Sequence, residues 1–341
     1  MQKQGILPNF LLPRCAHKDW FRNDAAGWSD AITVCPWEYY QIYGDTLILK
    51  TMFEPMKKWV NHIADITEKT NLWFGGFQYG DWLELGAKEG EFKGDTRDNL
   101  VASAFYANSV NIVCKAGKVL GEDVSYYENL YKNIVSAFKA EFKDDFKTQT
   151  EHILPLNFGL CVDEERVVKS LTELIHKDGD KLQTGFLGTP YVLHVLDKYG
   201  YTNLAYTLLL RKDYPSWLYP ITKGATTIWE HWDGIKPDGS MWSSEMNSFN
   251  HYAYGAVGDW LYGVAGGITA LESGFKKVRF APKPDNQIDW FKAEIDTDYG
   301  KISSYWYHKD GKISYEFETP VNAIIEIDGK VFKVEKGKYE F

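Results

Sequence analysis

Apolar positions in this chain keep one spacing for most of its length and then change to another. In residues 47–66, Leu49, Met52, Phe53, Met56, Trp59, Val60 and Ile63 recur at i, i+3, i+4 and i+7, which places them on one stripe of a helix. Residues 99–120 repeat the pattern with Leu100, Val101, Ala104, Phe105, Ile112, Val113, Ala116 and Leu120. Further helices are predicted over 126–142, 164–177, 188–200 and 203–212. Between them lie loops rich in Gly, Asp and Trp: "NDAAGWSDA", "FGGFQYGDWLELG", "KLQTGFLGTP" and "GATTIWEHWDG". After about residue 272 the period becomes two. "KISYEFE" alternates Ile313, Tyr315 and Phe317 with polar residues, while "HKDGK" and "EIDGKVFKV" carry Asp-Gly turns that favour tight hairpins.

Helix following helix, joined by short turns and interrupted by long loops, predicts a toroid of helical hairpins over residues 1–271. The alternating segment predicts a small antiparallel β-sandwich over residues 272–341, structural in role. No fixed-period solenoid repeat is present.

Composition narrows the chemistry. The formal charge is −9 and the pI about 5.5, with no basic run interleaved with aromatics, so nucleic acid is not an expected partner. No apolar stretch reaches the ~18 residues that span a bilayer, and the first residues lack an apolar signal core, so no membrane partner is expected and no compartment is assigned. Cys15, Cys35, Cys114 and Cys161 are widely spaced without a CxxC pair, which predicts mostly buried free thiols and no zinc site. Aromatic residues are abundant, with 13 Trp, 22 Tyr and 19 Phe. Flat rings stack on the C–H faces of sugars, and together with loop carboxylates they suggest carbohydrate.

Glycoside hydrolysis needs two carboxyl groups flanking the scissile bond. Glu230, between Trp229 and Trp232, suits one of them, since flanking rings would hold its rotamer and offer a sugar platform. The plain alternative is a buried Glu paired with a cation, or a carboxylate at a helix start. His251 is expected in the first turn of a helix capped by Ser248 or Asn250, as a neutral hydrogen-bonding partner; a structural histidine is the competing reading. Trp28 and Trp82 could wall a sugar pocket, with Asp30 and Asp81 binding hydroxyls, or each Asp could cap a helix with its Trp as a hydrophobic staple. Asp45, Asp213 and Asp233 read as turn or cap residues. There is no GxSxG, HExxH or phosphate loop.

Taken together and in order, "AAGWSDA", "YGDWL", "LQTGFLGTPYVL", "YPSWLY", "GATTIWEHWDG" and "MNSFNHYAYGAVGDWLY" resemble the α-L-rhamnosidases of glycoside hydrolase family 78. The resemblance covers nearly the whole chain, including the tail from "KKVRFAPKP". It implies a mainly α fold, an (α/α)6-toroid incomplete at its N-terminal side, followed by a small antiparallel β-sandwich domain. It implies inverting hydrolysis of terminal α-L-rhamnose from a rhamnose-containing oligosaccharide or glycoside, with no cofactor and no metal. By that resemblance Glu230 is the general base, His251 the pocket histidine, and Trp28 and Trp82 tryptophans lining the rhamnose pocket; Trp229 is a substrate-binding candidate only as a ring flanking Glu230. Asp30 and Asp81 neighbour those rings.

One departure stands out. The family's general acid lies in a segment resembling "DCPxRxERxxWxGD", and nothing like it occurs in these 341 residues. The resemblance therefore implies a fragment lacking its acid and the toroid's early helices, without activity on its own. Uncovered helix faces are then expected to promote self-association, and residues 1–20 to be poorly ordered or packed on another copy. Two rival readings are a non-catalytic carbohydrate-binding remnant and another helical-toroid glycosidase such as an unsaturated glucuronyl hydrolase. The latter should show basic residues in the pocket loops, which are nearly absent.

Overall fold

In the computed structural model, residues 24–87, 91–244 and 247–341 are described. The expectations for residues 1–20 and for Cys15 lie outside them. The chain divides into two compact units, described in turn: the first runs to Tyr40 and includes Asp45–Gly179 and Gln183–Tyr191, and the second holds Gln41–Gly44, Asp180–Leu182 and Val192–Phe341.

The first unit is built from helices α1 (Ala31–Tyr43), α2 (Thr46–Ile66), α3 (Asp98–Leu120), α4 (Ser125–Phe142), α5 (Gln149–Phe158) and α6 (Glu164–Lys177). The predicted stripe of α2 is buried at Leu49, Phe53, Met56, Trp59, Val60 and Ile63, and Asp45 caps the helix by accepting from Leu47 N. Helices α2, α4 and α6 bury one face each. In contrast α3 is buried on nearly every side, at Ala102, Ser103, Tyr106, Ala107 and Ser109 as well as the predicted positions other than Leu120, which is half-buried. Helix α5, which no stripe predicts, is buried from Gln149 to Leu156. Helix α3 packs against α2, α4 and α5, and α5 against α6. Helices buried all round beside one-faced partners are the inner and outer members of helical hairpins. Small side chains along α3 let its neighbours approach: a Cβ on Gly117 would lie 2.3 Å from Val124.

The second unit carries α8 (Thr202–Leu210), α9 (Leu218–Thr222), a 3-10 turn at Ala253–Ala256, α10 (Val257–Trp260) and then strands β1 (Ile268–Glu272) to β8 (Gly337–Glu340); α7 (Thr189–Lys198) begins in the first unit. The first strand thus starts before residue 272. The strands form two four-stranded sheets, ordered β1-β2-β6-β7 and β3-β4-β5-β8. They enclose one core around Val278, Phe280, Ile302, Trp306, Phe317 and Ile325. Both Asp-Gly turns form two-residue hairpins, with positive φ at Asp310, Gly311, Asp328 and Gly329 as type I′ requires. Neighbouring strands are antiparallel except β2 (Lys277–Phe280) and β6 (Ala323–Ile327), which pair in parallel because the chain builds β3 to β5 between them and returns in the same direction. Of the three described cysteines, Cys114 and Cys161 are buried and Cys35 is exposed, all outside any disulfide.

Candidate active site

The segment after α9 holds Glu230. It is not helical: Glu230 N donates to Ser248 O (2.9 Å), and His251 N donates to Ile228 O (2.8 Å). Segment 228–230 is thereby laid alongside 248–251. Ser248 N donates to Glu230 Oε2 at 3.1 Å, and His251 Nε2 lies 4.0 Å from Oε1. The Glu230 side chain is 13% exposed and that of His251 29%, so both reach solvent while mostly buried. One oxygen of the carboxylate is held by a backbone donor, and the other faces the imidazole.

This pairing overturns the expected helical position of His251. The helix begins only at Ala253, because the backbone groups of 248 and 251 are committed to residues 230 and 228. Ser248 Oγ accepts from Asn250 N within the loop, and Ala253 N donates to His251 Nδ1 (3.3 Å). With Nδ1 accepting, the neutral ring carries its proton on Nε2, the nitrogen nearest Glu230.

The two flanking tryptophans turn away from solvent. Trp232 is 3% exposed and stacks on Tyr254 at 3.8 Å, edge-on to Trp217. Trp229, expected as a sugar-contacting ring, is 5% exposed and packs edge-to-face on Phe249. Both border an apolar cavity of about 340 Å³ that Glu230 does not line. Their local effect is to anchor the loop on either side of the carboxylate. His231, which sequence reasoning passed over, stacks on Trp242 at 3.5 Å. Burial, followed by the nearby His251, pushes its pKa down to about 4, so it stays neutral above that pH.

In the first unit, Trp28 and Trp82 both pack on Tyr79, at 4.6 Å and 5.7 Å between ring centroids. Both keep partial exposure, whereas Tyr79 is buried. Nothing local in "FQYGDW" marks Tyr79 as the ring that unites them. Phe92 also stacks on Trp82, at 5.0 Å between centroids.

Asp30 and Asp81 are placed differently from the hydroxyl-binding role expected of them. Asp30 is fully buried and accepts from Gly27 N, Trp59 Nε1 and Ser109 Oγ. Asp81 accepts from Gly185 N, Leu187 N, Gly188 N and Thr150 Oγ1. Burial raises the pKa of both, and these donors oppose the rise. Their oxygens are occupied by protein donors: Asp30 ties the turn at Gly27 to helices α2 and α3, and Asp81 ties its loop to residues 185–188 and to α5. The same clasp explains "LQTGFLG". A Cβ at Gly185 would lie 2.3 Å from Trp82 O, and Phe186 N donates to that oxygen at 2.8 Å. Glu84, also unmarked in the sequence, is 5% exposed and accepts from Thr96 N and Oγ1. Burial and then the Asp81 charge push its pKa up to about 7. Asp213 instead is held at about 2 by Arg211. Among the described residues no cluster of three or more His, Cys, Asp or Glu is placed to hold a metal ion.

Residues 1–265 match the family model described as the bacterial alpha-L-rhamnosidase 6 hairpin glycosidase domain, and residues 267–334 match the bacterial alpha-L-rhamnosidase C-terminal domain. The chain belongs to the bacterial α-L-rhamnosidase family. It is 38% identical over 334 residues to an α-L-rhamnosidase of Formosa agariphila, covering 95% of this chain and 35% of that protein. A second α-L-rhamnosidase, from Streptomyces avermitilis, is 35% identical over 312 residues, or 89% of this chain and 29% of that protein. Among solved structures, the Streptomyces avermitilis α-L-rhamnosidase complexed with L-rhamnose superposes with a TM-score of 0.85 at 32% identity, over 93% of this chain and 33% of that one. The native Aspergillus terreus α-L-rhamnosidase gives 0.86 at 31% identity, over 94% and 39%. The chain spans about a third of the length of the rhamnosidases it matches. The six-hairpin and β-domain fold expected of a rhamnosidase is thus the fold of this chain, and the family match sets the glucuronyl hydrolase reading aside.

Proposed function

We propose that this chain carries the water-activating half of an inverting α-L-rhamnosidase, acting on terminal rhamnose in a glycoside. The observation that carries the reading is the held carboxylate of Glu230, with Ser248 N on Oε2 and His251 Nε2 4.0 Å from Oε1. A general base must be oriented, partly dry and accessible to water, and the backbone donor on Glu230 together with its 13% side-chain exposure supports that reading. In inversion the base takes a proton from water as that water attacks the anomeric carbon, while an acid roughly 6.5–9.5 Å away protonates the leaving oxygen. His251, with its proton on Nε2, would donate to the attacking water or a sugar hydroxyl. Within the first unit, and on the family resemblance alone, Trp28 and Trp82 are proposed as sugar-stacking rings, whose apolar faces suit the methyl group of rhamnose. Asp30 and Asp81 hold the loops that bear Trp28 and Trp82, and Trp229, packed on Phe249, anchors the loop that bears Glu230.

No segment of these 341 residues resembles the family's acid-bearing motif, so the isolated chain is proposed to bind rhamnose without appreciable turnover. A positioned acid contributes typically 10²–10⁴-fold, which sets the expected deficit. The test pairs calorimetry with L-rhamnose against hydrolysis of an aryl α-L-rhamnoside by the purified chain. Binding that weakens in Trp82→Ala, with hydrolysis at background, supports the reading. Hydrolysis abolished by Glu230→Gln would overturn the missing acid but uphold the base, and the anomer first released would then report inversion or retention. Absence of rhamnose binding would sink the sugar-site assignment.

A further inference from the structure

The outer face of the β3-β4-β5-β8 sheet carries side chains that its fold does not need. Strand β3 (Trp290–Thr297) pairs with β4 (Gly300–Lys309), β4 with β5 (Lys312–Thr319), and β5 with β8. The alternation that sends Ile302, Trp306 and Phe317 into the core sends Trp290, Tyr305 and Tyr307 outward. Trp290 is 60% exposed. Tyr305 stacks with Tyr307 at 4.9 Å and meets Trp290 edge-on at 6.3 Å, so the three rings form one aromatic cluster in which Trp290 is the most exposed.

Beside the cluster lies a groove of about 480 Å³. The register sets Tyr305 opposite Glu316, and Glu316 opposite Glu340. Like charges directly opposite each other disfavour pairing. Elsewhere on this face the charges are matched: Glu294 contacts Lys292 (3.1 Å) and Lys301 (3.3 Å), and Glu318 contacts Lys338 (3.3 Å). Among the described residues no cation is joined to Glu316 or Glu340.

We infer that this face binds a neutral oligosaccharide, at a site separate from Glu230. The exposed indole of Trp290, braced by Tyr305, presents apolar area to the C–H face of a sugar, while the two unmatched carboxylates accept from hydroxyls and Lys292 and Lys338 donate to ring or hydroxyl oxygens. Four glutamates against two lysines along the groove oppose a phosphate-rich or polyanionic partner. The groove lies on the sheet's face rather than its edge, which does not suit an added strand. The site would tether the chain to a glycan whether or not it cleaves one, and it does not depend on the proposed reaction.

The test is native gel electrophoresis of the full chain through gels cast with arabinogalactan, xyloglucan or dextran, with serum albumin as the mobility standard. Retardation by at least one of these polysaccharides is expected, with about tenfold lower apparent affinity in Trp290→Ala and Tyr305→Ala. Glu230→Gln should migrate as the parent, and thermal unfolding of the ring variants should stay within a few degrees of it. Three outcomes overturn the inference: no retardation in any gel, retardation unchanged in both ring variants, or concentration-dependent self-association that Trp290→Ala abolishes, which would make the face a contact between copies.

Discussion

His251 and Glu230 lie twenty-one residues apart in sequence, yet their Nε2 and Oε1 atoms are 4.0 Å apart because residues 228–230 and 248–251 pair through the backbone. The histidine's other nitrogen takes the Ala253 N–H, which fixes the tautomer. Nitrogen-15 spectra of the neutral imidazole should therefore show a protonated Nε2 and a bare Nδ1 at His251. Ala253→Pro deletes the donor and should shift the tautomer mixture towards Nδ1–H. An unchanged spectrum in that variant would show that something else sets the tautomer.

Glu84 gives the first unit a pH-dependent stability. Its folded pKa is about 7 against the usual 4.5, so between those values the folded state binds more protons than the unfolded one. Stability is then greatest below pH 4.5 and declines as pH rises to about 7, by about 3 kcal/mol from this residue. Glu84→Gln keeps an acceptor for Thr96 and removes the charge. Melting curves from pH 4.5 to 7.5 should fall less steeply for the variant.

His231 acts in the opposite sense. Its pKa is depressed from 6.5 to about 4, so the unfolded chain binds the extra proton in that window and stability rises with pH from 4 to 6.5. Its Cε1 proton, followed by NMR, should titrate with a midpoint about 4, well below an ordinary histidine. His231→Phe keeps a ring against Trp242 and should remove this contribution to the slope.

Gly185→Ala should destabilise the first unit by about 1–3 kcal/mol, since the new methyl meets backbone oxygens of Trp82 and Asp81 that cannot step aside. Calorimetry with L-rhamnose should show weaker binding in the same variant, because the strain falls on the segment bearing Trp82. A normal melting temperature would mean that the 184–188 loop shifts freely.

Asp81→Asn tests the buried clasp. The amide supplies one acceptor where the carboxylate supplied two, against three backbone donors and Thr150 Oγ1. Loss of about 2–4 kcal/mol is expected in denaturant unfolding. Hydrogen exchange at Gly185, Leu187 and Gly188 should quicken if the clasp holds the loop.

Much of this was readable from spacing. The stripes of α2, α4 and α6 bury as predicted because a one-faced helix advertises its core side, and the two Asp-Gly turns form the hairpins that their φ preference demands. Helix α3 was placed correctly but its all-round burial was not foreseen, since Ser, Ala and Gly do not announce an interior position. Helix α5 was missed altogether: polar Gln149, Thr150, Glu151 and His152 are buried through partners far away in sequence, such as Arg97 for Glu151.

The residue types at the candidate site were legible too, because Trp, Glu and His in Gly-rich loops stand out against helical periodicity. Their duties were not. Sequence by itself determined the one-faced helices, the alternating strands, and the short Gly-rich stretches that hold the Trp, Glu and His of the candidate site, since those follow from local period and composition. Only the tertiary structure decided that Asp30 and Asp81 spend their oxygens on backbone and side-chain donors, that Trp229 and Trp232 face inward, and that His251 meets Glu230 outside any helix. Each depends on a partner brought from a distant part of the chain, and hydrogen-bond demand in a buried site outweighs the preference any local pattern can express.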